Sequence, residues 1–104
     1  MSVVRFAAEA TDELAEAAAW YRARRPGLEL EFLAEVERLL PLIAGSPAAF
    51  PRLLDLPSDL AVRRALLPRF PYALILMELG TDVRVLAVAH VKRRPGYWLD
   101  RVTA

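Results

Sequence analysis

The side chains of this sequence that could do chemistry are mostly cations, and they gather around two apolar runs in its second half. They are Arg63, Arg64 and Arg69 before the runs, and Lys92, Arg93 and Arg94 after them. His90, the only histidine, borders the second group, and Tyr97 and Trp98 follow it. Guanidinium groups bind phosphates and carboxylates through paired hydrogen bonds, and histidine exchanges protons near neutral pH. The set therefore predicts anion binding, with or without proton transfer.

The same residues have structural explanations that the sequence leaves open. Charged residues at strand ends often only keep a domain in solution, and a lone histidine is more often structural than catalytic. Tyr97 and Trp98 could close a small core as well as stack on single-stranded nucleic acid. Arg63 and Arg64 are neighbours in a predicted strand, so they point to opposite faces and only one can join a given site. Arg69 could meet residues 92–94 if the strands form a meander.

Several other chemistries are disfavoured, and we expect no cofactor and no metal. A single histidine and no cysteine argue against a zinc site. The four glycines are scattered and form no phosphate-binding loop. An enzyme built on this chain would have to work with Arg, Lys, His and Tyr side chains.

Charge is divided unevenly along the chain. Residues 1–60 carry six basic against ten acidic side chains, a net of −4, and residues 61–104 carry eight against three, a net of +5. This division indicates a basic working face. The apolar content of 56% exceeds the roughly 45–50% of ordinary domains and suggests a surface that a partner covers. With no signal-peptide pattern and no apolar run of ~18 residues, we expect a cytoplasmic protein without membrane association.

Two helices are predicted after a first strand at Ser2–Phe6. Leu14, Ala17, Ala18 and Tyr21 recur at helical spacing, with Thr11 or Asp12 as N-cap and Pro26-Gly27 as the end. The second helix has a wide apolar stripe formed by Leu28, Phe32, Val36, Leu39, Leu40 and Ile43. Pro41 predicts a kink or an early end of this helix. The short link makes the two helices an antiparallel hairpin.

Three strands are predicted after a long ordered loop, Gly45–Asp59, that Phe50 and Leu53 anchor. The strands are Val62–Leu67, Tyr72–Leu79 and Val83–His90, with a tight turn at Gly80-Thr81 and a closing helical turn within Tyr97–Val102. The second strand is apolar on both faces, as is typical of a central strand. The order β-α-α-β-β-β predicts a single α+β domain over residues 1–104, with an antiparallel sheet packed against the N-terminal helical hairpin.

Several motifs together resemble the RelE/ParE superfamily of type II toxin–antitoxin toxins. They are the pattern over Ala10–Tyr21, Pro26-Gly27, Phe32-x-x-Glu35-Val36, Val62-Arg63-Arg64, Arg69-Phe70-Pro71-Tyr72 and Ala87-Val88-Ala89-His90-x-x-Arg93-Arg94-Pro95-x-Tyr97-Trp98. The resemblance covers nearly the whole chain. It implies a growth-inhibiting toxin that forms a hetero-oligomer with a cognate antitoxin, whose C-terminal segment folds on the toxin and neutralises it.

The resemblance leaves two branches and two kinds of target. RelE-like members cleave mRNA in the ribosome, and Arg69 matches an arginine that such nucleases use. Lys92 and Arg93, however, stand where those nucleases commonly have His and Tyr. The short helical hairpin, the R-F-P-Y strand and the H-x-x-R-x-P ending are closer to the ParE-like, plasmid-stabilisation branch, which is associated with inhibition of DNA gyrase. A ParE-like binding toxin is therefore our first expectation, a ribosome-dependent endoribonuclease the second, and a non-toxic binding module the third.

The resemblance and the residue pattern together assign site residues. The predicted target-binding residues are Arg64, Arg69, Lys92, Arg93, Arg94, Tyr97 and Trp98. In the nuclease alternative the catalytic residues would be Arg69, Lys92, Arg93 and His90. The predicted antitoxin-binding residues are Leu14, Ala18, Tyr21 and Arg69.

Overall fold

A four-stranded mixed sheet carries two helices on one face in this computed structural model, which describes residues 2–54, 56 and 60–102. The elements are β1 (Val3–Phe6), α1 (Ala8–Arg24), α2 (Leu28–Gly45), β2 (Val62–Leu66), β3 (Tyr72–Leu79) and β4 (Asp82–His90), with 3₁₀ turns at Pro47–Ala49 and Leu99–Arg101. This order confirms the predicted α+β fold and its closing helical turn. The end of the predicted loop, including Pro57 and Asp59, lies outside the described residues.

The strand order across the sheet is β1-β4-β3-β2. Strands β2, β3 and β4 form the predicted antiparallel meander. β1 pairs parallel with β4, so the sheet is mixed rather than wholly antiparallel. The helical hairpin makes this possible, because it supplies the long crossover that a parallel pair requires. β3 lies between β2 and β4, which confirms it as a central strand.

The start of α1 and the end of α2 differ from the prediction. α1 begins at Ala8 after an Ala7 N-cap that makes no side-chain capping bond, so Thr11 and Asp12 are inside the helix and the predicted cap was wrong. The start is set by the sheet, since the Ala7 N–H donates to the carbonyl of Val85. α2 continues through Pro41 to Gly45, so the predicted early end is absent.

Pro41 is tolerated because buried residues on both sides of it hold α2 against the core. Leu39 and Ile43 are buried, whereas Pro41 lies on the exposed side of the helix. Gly27, at a φ of 98°, is the N-cap of α2, so the Pro26-Gly27 link separates the two helices as predicted. Neither helix in the described part of the chain is long and apolar enough to cross a bilayer.

Apolar side chains form a separate core on each face of the sheet. The helix-side core contains Tyr21, Phe32, Val36, Ile43, Leu74, Leu76 and Val85 among its buried residues, and Phe50 packs against it. The second core consists of Val62, Ile75, Met77, Leu86, Ala87, Ala89 and Trp98, and Leu53 packs against it. Both predicted loop anchors are thus confirmed. No helix covers this second face in the described chain; only the loop and the C-terminal residues do, and part of the face is left open.

Candidate functional site

The open part of the second face is a groove of ≈ 360 Å³, which we call the arginine groove. Its floor is the aliphatic surface of β3 and β4, formed by Ala73, Ile75 and Ala89. Its walls and rim are Leu53, Leu54, Leu56, Arg64, His90, Val91, Arg93, Arg94, Pro95, Gly96, Tyr97, Trp98 and Leu99. The groove therefore combines an apolar floor with a cationic rim.

Three arginines supply the charge of this rim. Arg64, Arg93 and Arg94 are exposed, and no Asp or Glu is among the described residues that line the groove. Arg93 lies over the ring of Tyr97, with Cζ 4.0 Å from the ring centroid. Guanidinium groups held beside a low-dielectric floor attract anions more strongly than the same groups in open solvent. The geometry suits an anionic ligand with apolar parts.

Arg63 and Arg64 point to opposite faces of the sheet, as predicted. Arg64 lines the arginine groove, whereas Arg63 donates a hydrogen bond of 2.8 Å to the carbonyl of Phe50. Its Nε also lies 3.4 Å from a carboxylate oxygen of Glu78. Arg63 therefore ties the loop after α2 to the edge of the sheet.

Arg69 lies apart from the groove, at the turn between β2 and β3. Its Nη2 donates to Glu31 on α2 at 2.5 Å, and its Nη1 lies 4.0 Å from Glu35. Hydrogen bonds from Arg69 and Arg25 hold the pKa of Glu31 below its ordinary value. Neither Arg69 nor Lys92 is among the residues that line the arginine groove. Arg69 is thus paired with carboxylates of α2 and does not line the groove that Arg93 and Arg94 line.

His90 lies at the end of β4, where the arginine groove meets a second groove along α1. Its ring packs edge-on against Tyr72, with centroids 5.1 Å apart. Its Nδ1 accepts a hydrogen bond of 3.1 Å from the backbone N–H of Lys92. These contacts give the histidine a structural task, and only Nε2 remains for any exchange of protons with a ligand.

The second groove, of ≈ 450 Å³, carries charges of both signs. It runs between α1 and the ends of β3 and β4, and its lining includes Glu13, Glu16 and Arg93. Trp20 is 51% exposed beside it, and the guanidinium of Arg24 lies over that ring at 4.2 Å. The mixed charge makes this groove less selective for an anion than the arginine groove.

Glu13 is the centre of a half-buried polar network that positions one wall of the arginine groove. Its Oε1 and Oε2 accept hydrogen bonds from Arg101 at 2.9 and 3.2 Å, and Oε2 also accepts one from the Tyr97 hydroxyl at 2.7 Å. Burial first, and then this bond to Glu13, raise the pKa of Tyr97 to about 12. The network fastens residues 96–102, which we call the C-terminal strap, to α1.

The same pair also satisfies the free edge of β4. β1 pairs with β4 only as far as Val85. In the pairing of β4 with β3, the register shifts between Ile75 and Leu76, which leaves Leu86 of β4 as an extra residue. Beyond that point, Arg101 donates to the Leu86 carbonyl at 3.0 Å and Glu13 accepts from the Val88 N–H at 3.0 Å. The two side chains thus take the place of a neighbouring strand, which buried backbone groups require.

Trp98 and Tyr97 have different roles within the strap. Trp98 is only 4% exposed and belongs to the second core, so it acts mainly as the structural closure that the sequence left open. Tyr97 is half-buried: the guanidinium groups of Arg93 and Arg101 lie near its ring, and its hydroxyl donates to Glu13. Contact of either ring with a target remains a prediction, and it is limited to the ring atoms that line the groove.

The side chains predicted to bind an antitoxin on α1 face the protein's own core. Tyr21 is buried, and Leu14 and Ala18 are partly buried against the helix-side core. These positions confirm the predicted helical face, and they leave little side-chain surface for a partner. Antitoxin binding by Leu14, Ala18, Tyr21 and Arg69 remains a prediction.

Sequence reasoning missed Glu13 and Arg101, the two residues that organise the strap. Neither residue is among those that the sequence pattern assigns to a site. One signal was present: Glu13 lies beside Ala10 and Ala17 on the helical wheel, so a carboxylate borders the apolar face there. Its partner is 88 residues away, a separation that no local pattern reveals.

Comparison with solved structures finds a similar fold in a chain of the chromosomal ParDE TA system from P. aeruginosa. The TM-score is 0.72, and the match covers 86% of this chain and 96% of that one, with 21% sequence identity. The chain has a ParE-like fold. Neither a protein-family model nor a curated protein matches the sequence.

The ParE-like fold confirms the resemblance that the motifs indicated, at the level of architecture. The match covers most of both chains, so the order of two helices and a four-stranded sheet is common to them rather than limited to one motif. Within this ParE-like fold, the arginine groove lies on the sheet face opposite the helices, and the strap forms one of its walls.

Proposed function

We propose that this protein is the toxin component of a toxin–antitoxin module and inhibits growth by binding a macromolecular target. The observation that carries the proposal is the ParE-like fold, which 86% of this chain shares with a protein of a ParDE TA system. The arginine groove is the proposed target-binding face, with Arg64, Arg93, Arg94 and Tyr97 as contacts. DNA gyrase is the candidate target, on the strength of the ParE-like resemblance alone.

The placement of the cations favours binding over RNA cleavage. An endoribonuclease needs its acid, its base and its phosphate-stabilising groups within reach of one scissile phosphate. Here Arg69 is engaged by Glu31 and Glu35, while His90 accepts a backbone hydrogen bond through Nδ1. Arg93 lies over Tyr97. Arg69 is thus paired with carboxylates of α2 and does not line the arginine groove with His90 and Arg93, which supports a binding toxin over the nuclease alternative.

An antitoxin is the proposed partner that keeps the toxin inactive. The rim of the arginine groove carries three exposed cations beside exposed apolar side chains. Such a surface is costly to leave uncovered and is well suited to an acidic partner segment that folds as it binds. Neutralisation would then follow from direct occlusion of the target-binding face.

Controlled expression in a bacterial host tests this function. We expect induction to arrest growth, and co-expression of the small open reading frame adjacent to this gene to restore it. Unimpaired growth at a high level of folded protein would indicate the non-toxic binding module instead. If the product of the adjacent open reading frame does not bind the purified protein, that product is not its antitoxin.

Transcript analysis in the same cells separates the two toxin mechanisms. A binding toxin should leave mRNA intact during arrest and, if gyrase is the target, relax a reporter plasmid or produce gyrase-dependent DNA breaks. New mRNA ends by primer extension that disappear in Arg69→Ala would instead establish the endoribonuclease.

A further inference from the structure

The edge of β4 is unpaired at one point in the second groove, past the backbone groups that Glu13 and Arg101 satisfy. The Val88 N–H donates to Glu13, so the backbone groups of Val88 and His90 point away from β3, toward the edge of the sheet. The His90 carbonyl accepts a bond of 2.9 Å from the Arg93 N–H. Within the described part of the chain, no group bonds to the Val88 carbonyl or to the His90 N–H. Val88 is only 2% exposed, and backbone groups at such positions are nearly always hydrogen-bonded, so these two groups are available to an added strand.

The two free groups accept a strand in one direction only. In a parallel ladder, one residue of the added strand donates to the carbonyl before its partner residue and accepts from the N–H after it. A residue placed opposite Ala89 would make both bonds, to the Val88 carbonyl and the His90 N–H. An antiparallel strand needs the N–H and the carbonyl of one residue, but the Val88 N–H and the His90 carbonyl are already bonded. The free groups therefore fit a parallel strand, the direction in which β1 pairs with the earlier part of β4.

Helix α1 runs beside this edge in the same direction as β4. Glu13 bonds to the Val88 N–H. About two turns later, Tyr21 packs against Tyr72, which is the β3 partner of His90 in the register. An added parallel strand would therefore meet the residues of α1 in their chain order.

Two side chains of α1 in the second groove define what the added strand would carry. Glu16 is exposed, and it has no ion-pair partner among the described residues. Trp20 follows one turn later and is 51% exposed. Residues opposite each other in a sheet point to the same face, so side chains placed opposite Val88 and His90 would point toward α1. The chain order favours a cation at the first of these positions, near Glu16, and an apolar side chain at the second, near Trp20.

The charge around this edge selects a ligand opposite in sign to the acidic partner proposed for the arginine groove. Glu9 and Asp12 are also exposed on α1, and neither has an ion pair within the described part of the chain. Arg93, the one permanent cation among the described residues that line the second groove, lies over the ring of Tyr97. The carboxylates would repel the phosphates of a nucleic acid and attract a basic side chain.

We propose that the second groove binds a short extended segment of a protein partner, added parallel to β4 and carrying a basic residue, any residue and an apolar residue in that order. The middle residue makes the two backbone hydrogen bonds, the basic side chain pairs with Glu16, and the apolar side chain packs against Trp20. The inference goes beyond the proposed function and rests on it in one respect, that the partner carrying the segment is the macromolecular target.

Titration of the full-length, nitrogen-15-labelled protein with the acetylated and amidated peptide TVKVLT tests this proposal. We expect saturable shifts of the amide signals of residues 88–90, largest at His90 because its N–H gains an acceptor. Methylation of the backbone nitrogen of the middle valine, between lysine and leucine, removes the donor to Val88 and should weaken binding about tenfold. The same methylation at the leucine, whose N–H points away from β4, should leave the affinity nearly unchanged.

Matched variants and a reversed peptide test the side-chain contacts and the direction. Glu16→Lys should weaken binding of TVKVLT about fivefold, because an attractive pair of charges becomes a repulsive one. Glu37→Lys makes the same change in net charge at an exposed position of α2, outside the groove, and should bind the peptide as the wild type does. The reversed peptide TLVKVT should bind more weakly than TVKVLT. Amide spectra without peptide establish that both variants are folded.

Three results would each overturn the proposal. The first is equal binding of the reversed peptide, which would exclude a parallel strand with this order of side chains. The second is unchanged binding after methylation of the middle valine, which would exclude the backbone hydrogen bond. The third is tighter binding of the acidic peptide TVEVLT or of a short single-stranded RNA, which would show that the ligand has the opposite charge.

The peptide assay and the growth assay fail independently. If cells arrest but no peptide of this pattern binds, the function stands and the inference about the β4 edge is wrong. If the peptide binds but expression of the wild type does not arrest growth, the second groove is a peptide site on a protein that is not a toxin. Arrest by Glu16→Lys equal to that of the wild type would show that the segment does not belong to the target.

Discussion

Glu13 and Arg101 form an ion pair that joins the middle of α1 to the end of the described chain, with Nη1 to Oε1 at 2.9 Å. Their side chains are only 15% and 13% exposed. Together they replace a missing strand beside β4 and hold the C-terminal strap that walls the arginine groove. The shape of the proposed binding face therefore depends on a pair that lies outside it.

Glu13→Gln should lower the free energy of unfolding by about 3 kcal/mol, because it leaves the Arg101 charge half-buried without a counter-charge. Urea unfolding monitored by circular dichroism measures the loss. Glu16→Gln, a matched change on an exposed position of α1, should stay within about 0.5 kcal/mol of the wild type. Adding Arg101→Met to Glu13→Gln should recover part of the loss, since the unpaired charge is then gone. Equal stability of Glu13→Gln and the wild type would contradict the described role of the pair.

Tyr97 should make stability sensitive to alkaline pH. Its pKa is raised to about 12 in the folded protein, against about 10 when unfolded. The folded state holds the phenolic proton more tightly, so this stabilisation is complete below pH ~10 and is lost as pH rises toward ~12. Between pH 9 and pH 11, wild-type stability should therefore fall more steeply than that of Tyr97→Phe. Urea unfolding at each pH gives the two slopes, and parallel slopes would show that Tyr97 does not contribute.

Arg69 occupies a left-handed backbone conformation, at a φ of 70°, that an L-residue adopts at a cost of about 1 kcal/mol. Its ion pair with Glu31 is substantially exposed and should therefore contribute little to stability. Arg69→Gly loses the ion pair but relieves the backbone strain. Arg69→Ala loses the ion pair and retains the strain. We expect the glycine variant to be more stable than the alanine variant by about 1 kcal/mol in the same unfolding assay. The reverse order would mean that the turn changes conformation on substitution.

The fold was largely predictable from local patterns. Alternation and apolar runs located β3 and β4, helical spacing located the buried faces of α1 and α2, and Pro26-Gly27 located the turn between them. The parallel pairing of β1 was not predicted, because it depends on where the helical hairpin returns the chain. The predicted start of α1 was wrong for a related reason. The first turn of α1 directly follows Ala7, whose N–H donates a hydrogen bond to the carbonyl of Val85 on β4.

The types of residue in the candidate site were predictable from the sequence, but which of these residues lie together was not. Alternation in β2 correctly separated Arg63 from Arg64. The assignment of Arg69 to the same cluster as residues 92–94 did not anticipate Glu31 and Glu35, which lie within its reach on α2. Which side chains pair across elements distant in sequence depends on how those elements pack. Local sequence patterns therefore do not reveal such pairs.

The growth of cells that express rim variants tests the central claim most directly. Viable counts should be measured after induction of the wild type, the Arg64→Glu and Arg94→Glu double variant, and the Arg5→Glu and Arg22→Glu control, at matched levels of folded protein. The account predicts that the wild type and the control arrest growth and that the rim variant does not. Arrest by the rim variant equal to that of the wild type, or no arrest by the wild type, would contradict it.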